Sequence, residues 1–85
     1  MSDHAAHTSH PDIINRLKRA EGHLRSIIGM LETGRPCAQI APQIKAVESA
    51  VTAAKRALIH DHIDHCLGTG GAEELAEIRA LTKLL

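Results

Sequence analysis

The chain has 85 residues, ten basic and ten acidic side chains that cancel to a formal net charge of zero, seven histidines, and no Phe, Tyr or Trp. That length supports one domain with a small aliphatic core, marginal on its own, so association with further copies is expected. Without aromatic rings the base-stacking modules that bind single strands and RNA are excluded, and no run approaches the roughly 18 consecutive apolar residues of a membrane span.

Residues 1–10 carry His4, His7 and His10 among small polar residues without apolar periodicity, and read as a flexible arm ahead of one helical domain over 11–85. The arm lacks the apolar segment of a signal peptide. With only two cysteines, ligands or reactive thiols in a bacterial-type cytoplasm are expected rather than a structural disulfide. The Ser9-His10-Pro11-Asp12 run is a helix start, with a capping Ser, Pro in the first turn and an acid at the positive end of the dipole. From there Ile13, Ile14, Leu17, Ala20, Leu24, Ile27, Ile28 and Leu31 recur at three- and four-residue steps, which predicts a long amphipathic helix ending at Gly34.

Arg35-Pro36-Cys37 restarts the chain, and Pro42 is tolerable only within the first turns of the second helix. Ile40, Ile44, Val47, Val51, Ala54 and Leu58 then form a heptad-like stripe, interleaved with Ala46, Ser49, Ala50, Ala53 and Ala57, small enough for close helix approach. Gly68-Thr69-Gly70-Gly71 stops this second helix, and a short third one starts at about Ala72 with Leu75, Ile78, Leu81 and Leu85 on one side. The fold class is all-α, with two long helices and a short C-terminal one.

The chemistry concentrates in His60-Asp61-His62-Ile63-Asp64-His65-Cys66, three imidazoles, two carboxylates and a thiol in two helical turns. His62 and Cys66 are related by i, i+4, so both leave one face and can grip one ion. Either cysteine alone reads as a small buried hydrophobe; a cysteine four residues beyond a histidine, with two more histidines adjacent, reads as half of a metal site. The other cysteine, Cys37, lies 25 residues before His62, roughly 37 Å along a helix at about 1.5 Å per residue. One chain cannot close that site. A second chain packed antiparallel along the stripe brings Cys37 of one copy to His62 and Cys66 of the other, and two-fold symmetry makes two equal sites. Two thiolates and an imidazole suit Cu(I); added imidazoles or a backbone nitrogen favour Ni(II), Co(II) or Zn(II). His60 and His65 do not fit the same face as His62 and are expected outside the ligand set. Beyond this cluster the chain offers no nucleophile, base and orienting group, so an enzyme is not expected.

The charges are segregated. Residues 13–56 hold eight basic side chains (Arg16, Lys18, Arg19, Arg25, Arg35, Lys45, Lys55, Arg56) against three acidic ones, whereas 57–85 hold two against five. The first of these segments is a candidate face for a polyanion.

The chain resembles the CsoR/RcnR/FrmR family of metal-responsive repressors from about Pro11 to Leu85. The likeness rests on Asn15-Arg16-Leu17-Lys18-Arg19-Ala20-Glu21-Gly22-His23-Leu24, the Arg-Pro-Cys turn, Gln43-Ile44-Lys45-Ala46-Val47, and the Cys37, His62, Cys66 spacing, which is similar to that of copper sensors and of one nickel-sensing branch. It implies an antiparallel dimer, two of which form a tetramer, with intersubunit metal sites. It also implies an operator DNA bound by apo-protein through Arg16, with Lys18 and Arg19, and Arg56, with Lys55, and released on metal binding, Cu(I) first and, with His4 or His7 of the arm as an extra ligand, Ni(II) or Co(II) as the alternative. In such sensors the second ring nitrogen of the metal-bound histidine meets a Tyr and a Glu; here Pro36 stands at the Tyr position, and Glu74 or Glu77 is the acidic partner. A persulfide-sensing repressor, in which Cys37 and Cys66 bridge, is a further alternative that His62 argues against. A formaldehyde sensor would need an N-terminal Pro where this chain has Met1-Ser2.

Overall fold

The computed structural model describes residues 10–66 and 71–85, with the side chains of His65 and Cys66 excepted. Helix α1 runs His10–Glu32, α2 Cys37–Cys66 and α3 Ala72–Thr82. His10, placed in the arm by the sequence, is the first residue of α1, one position before the proline that suits a first turn. The Ser9 cap, His4, His7 and the glycines at 68 and 70 lie outside the described residues.

The turn between α1 and α2 shows why Gly34 is where it is. Its φ of +74° is left-handed, the Gly34 N–H donates to the Leu31 carbonyl at 3.2 Å, and the Arg35 N–H donates to the Met30 carbonyl at 2.9 Å. That is a Schellman close, which satisfies the last carbonyls of α1 and reverses the chain. The Pro36 carbonyl then accepts from the N–H groups of Gln39 (2.9 Å) and Ile40 (3.2 Å) to open α2. Pro42 falls in the second turn of α2, where it removes only the bond that the Ala38 carbonyl would have accepted.

Helices α1 and α2 form an antiparallel hairpin, because its contacts pair early with late positions: His10 lies near Asp61, and His23 bonds Gln43. The core follows the same rule. Ala20 and Ile27 of α1 pack with Ile40 and Val47 of α2, and half-buried Met30 closes the turn end. Ile13, Ala54 and Ile59 are also buried.

The buried positions advance by seven: Ile13, Ala20, Ile27 on α1 and Ile40, Val47, Ala54 on α2. The remaining members of both stripes stay exposed, Ile14, Leu17, Leu24, Ile28 and Leu31 on α1 and Ile44, Val51 and Leu58 on α2. A helix with one neighbour buries one stripe; these helices carry two. The shape agrees, at 54 × 23 × 15 Å with a radius of gyration of 16.9 Å, where a compact domain of this length would have about 12 Å. Helix α3 packs against α2, with Ile78 and Leu81 half-buried and Leu75 and Leu85 exposed. No described helix is long and apolar enough to cross a membrane.

Candidate metal centre and basic face

The two halves of the candidate metal centre occupy opposite ends of α2. Cys37, the first residue of the helix, is a free and exposed thiol. His62 sits in the last two turns and is mostly covered, its side chain 12% exposed. Its Nε2 lies 3.3 Å from Glu77 Oε1 of α3, so the imidazole N–H donates to that carboxylate. Of the two acids expected from the sequence, Glu77 is brought to the ring; Glu74 is half-buried one turn earlier on α3. His60 is exposed. The Cys66 backbone ends α2 four residues after His62. No three His, Cys, Asp or Glu side chains gather within one chain among the described residues, and the length of α2 keeps Cys37 roughly 37 Å from His62 at about 1.5 Å per residue.

Beside His62 stands Asp61, 8% exposed, its Oδ2 3.9 Å from His10 Nε2 at the start of α1. Apolar periodicity gave no sign of this contact, nor of the 2.6 Å hydrogen bond between His23 Nε2 and Gln43 Oε1 that ties the middle of α1 to α2. Both pairs straddle Gly34 nearly symmetrically along the chain. In an antiparallel hairpin with its turn at Gly34, that symmetry is the signal that would have found them.

Four of the basic residues, Arg16, Arg19, Lys45 and Arg56, line two adjoining grooves. One, of about 400 Å³, is lined by Asp12, Arg16, Arg19, Ala20, His23, Ala50 and Ala53; the other, of about 310 Å³, by Lys45, Glu48, Ser49, Thr52, Ala53 and Arg56. Ala53 belongs to both, so Arg16 and Arg19 of α1 and Lys45 and Arg56 of α2 surround one small-residue floor. Lys18 and Lys55 are exposed but line neither groove. Asp12 Oδ2 accepts from Arg16 Nε at 3.2 Å, an i, i+4 pair that holds this guanidinium at the rim. Lys45 was not among the residues the resemblance assigned to DNA; it shares a face with Ser49, Thr52 and Arg56 at helical spacing.

Residues 9–85 match the family described as metal-sensitive transcriptional repressor. The chain is similar to the copper-sensing transcriptional repressor CsoR of Mycobacterium tuberculosis (strain ATCC 25618 / H37Rv), 41% identical over 56 residues that cover 66% of this chain and 47% of that protein. It is similar to the copper-sensing repressor CsoR of Bacillus subtilis (strain 168), 40% identical over 65 residues, 76% of this chain and 64% of the relative. Similarity extends to the copper-sensing repressor RicR of Mycobacterium tuberculosis, 36% identical over 72 residues, 76% of this chain and 75% of the relative. The chain spans about half the length of the mycobacterial CsoR proteins that it matches. No solved structure matches it. A match over nearly the whole helical hairpin and α3, on a chain with thiol and imidazole at the two ends of one helix, means that the chain belongs to the family of metal-sensitive transcriptional repressors.

Proposed function

We propose that this protein is a cytoplasmic copper-sensing repressor that binds operator DNA as apo-protein and releases it when Cu(I) binds. The observation that carries the reading is the placement of Cys37 and His62 at opposite ends of an α2 whose Ile44, Val51 and Leu58 stripe is uncovered in the single chain. A second copy, antiparallel along that stripe, covers the apolar side chains and completes Cys37, His62 and Cys66 as two intersubunit ligand sets. Pairs of such dimers have the exposed apolar residues of α1 left for a tetramer.

The donor set fits the ion. Two thiolates and one imidazole form a soft, low-coordinate set, and the Glu77 carboxylate on Nε2 leaves ligation to His62 Nδ1 and fixes the ring's orientation. Bound Cu(I) would supply a cross-link between the two subunits through thiolate and imidazole. The protein does the rest: α3 holds His62 through Glu77, α2 spans the dimer, and Arg16, Arg19, Lys45 and Arg56 face the phosphates. These contacts position the protein on DNA by charge and groove shape, and no catalytic step is assigned to any residue.

A nickel or cobalt reading draws support from one observation. His10, which follows His4 and His7 in the chain, starts α1 with its Nε2 3.9 Å from Oδ2 of Asp61, the neighbour of His62.

Anaerobic titration of the reduced protein with Cu(I) tests both, following thiolate charge-transfer absorption and the anisotropy of a labelled duplex that the apo-protein has selected from a random pool. Copper binding with release of the duplex, both lost in Cys37→Ala, is the expected result. Low-spin four-coordinate Ni(II) binding that disappears on removal of residues 1–9 moves the assignment to nickel. A duplex released by persulfide, and by neither ion, refutes the metal reading.

A further inference from the structure

If metal at His62 is to change the grip of Arg16 and Arg19, the end of α2 must be connected to α1. One helical turn makes two connections. His62 meets Glu77 of α3 at 3.3 Å, while its neighbour Asp61 meets His10 of α1 at 3.9 Å. Adjacent residues of a helix are about 100° apart and do not share a face, so this turn is held on one side by α3 and on the other by the first residue of α1. Two positions beyond His10, Asp12 pairs with Arg16 at 3.2 Å, and both line the 400 Å³ groove together with Arg19. A contiguous path therefore leads from His62 through Asp61, His10 and the first turn of α1 to the groove.

Resting on the reading that Cys37, His62 and Cys66 hold the metal, we propose that His10 and Asp61 are positioning residues that carry a displacement of the His62 turn into the first turn of α1, and so set where Arg16 stands. The Asp61 carboxyl is 8% exposed, against 32% for His10. Separating a mostly buried carboxylate from the imidazole beside it is unfavourable. Both sites then bias one element, which is the physical requirement for coupling.

The test uses the full reduced chain, Cu(I) under anaerobic conditions, and amide hydrogen exchange read on segments 10–20 and 58–66 of wild type, His10→Ala and Asp61→Asn. Wild type should change exchange in both segments on Cu(I) loading. In His10→Ala the change at 58–66 persists, the change at 10–20 disappears, Cu(I) affinity is kept, and the ratio of duplex affinities without and with Cu(I) falls about 3- to 30-fold. A merely structural role would lower thermal stability and leave that ratio alone. Equal responses at 10–20 in wild type and His10→Ala, or none in wild type that binds Cu(I), overturn the proposal while the metal reading stands. Absence of thiolate-to-copper absorption in wild type overturns both. His10→Ala carries the result if Asp61→Asn does not fold, as judged by circular dichroism.

Discussion

At the scale of single residues, two polar pairs tie neighbouring helices together. His23 and Gln43 make a part-buried hydrogen bond of 2.6 Å across the hairpin. Gln43→Ala leaves the imidazole without that partner and should lower the unfolding free energy by about 1 kcal/mol in urea titrations, with Cu(I) affinity unchanged. Glu77 is different, because its carboxylate orients the ring of a proposed ligand. Glu77→Gln should keep the helical content and weaken Cu(I) binding about 10- to 100-fold in competition with a copper chelator. An unchanged affinity would mean that the His62–Glu77 contact only packs α3. The histidines and acids around α2's end were legible in the sequence as a cluster, and so was a choice between Glu74 and Glu77. That Glu77 meets the ring was not, since α3 can rotate about its axis without altering its apolar pattern.

At the scale of the element, α2 serves two partners. Ile40, Val47 and Ala54 face α1, while Ile44, Val51 and Leu58 remain outward. Val51→Asp would place a charge in the middle of the outward stripe and should shift the protein toward monomer in sedimentation velocity, with α-helical content largely kept. If Val51→Asp sediments as wild type, this stripe is not the dimer seam. The groove makes a second prediction at this scale. Arg16→Ala and Arg56→Ala should each weaken duplex binding and reduce the slope of log affinity against log salt by about one for each phosphate no longer neutralised. Lys18→Ala and Lys55→Ala should do less, because neither side chain lines the grooves around Ala53.

At the scale of the whole molecule, a chain 54 Å long and 15 Å thin has too little interior to stand alone. Its two half-sites at opposite ends make a sharp prediction about assembly. Cys37→Ala and His62→Ala proteins, each inactive alone, should recover about a quarter of the wild-type Cu(I) stoichiometry when mixed in equal amounts and allowed to exchange subunits at random, since half of the dimers are then mixed. One of the two sites in the mixed dimer then has Cys37 from one chain with His62 and Cys66 from the other. A ligand set within one chain would recover nothing. Mixing and then equilibrium dialysis distinguishes the two.

The three helices, the turn at Gly34 and the clustering of thiol and imidazole come from the chain alone, because 3.6-residue periodicity, Gly and Pro punctuation and i, i+4 spacing are local properties. The separation of Cys37 from His62 does as well, since a helix has a fixed rise. What the apolar stripes do not disclose is how they divide between neighbours: Ile13, Ala20 and Ile27 look no different in sequence from Ile14, Leu24 and Ile28, yet the first set is buried and the second exposed. The pairing of Asp61 with His10, of His23 with Gln43 and the gathering of Arg16 and Arg56 around Ala53 were likewise decided by tertiary structure. Those placements depend on the register and rotation of two packed helices, which the periodicity of either helix leaves open.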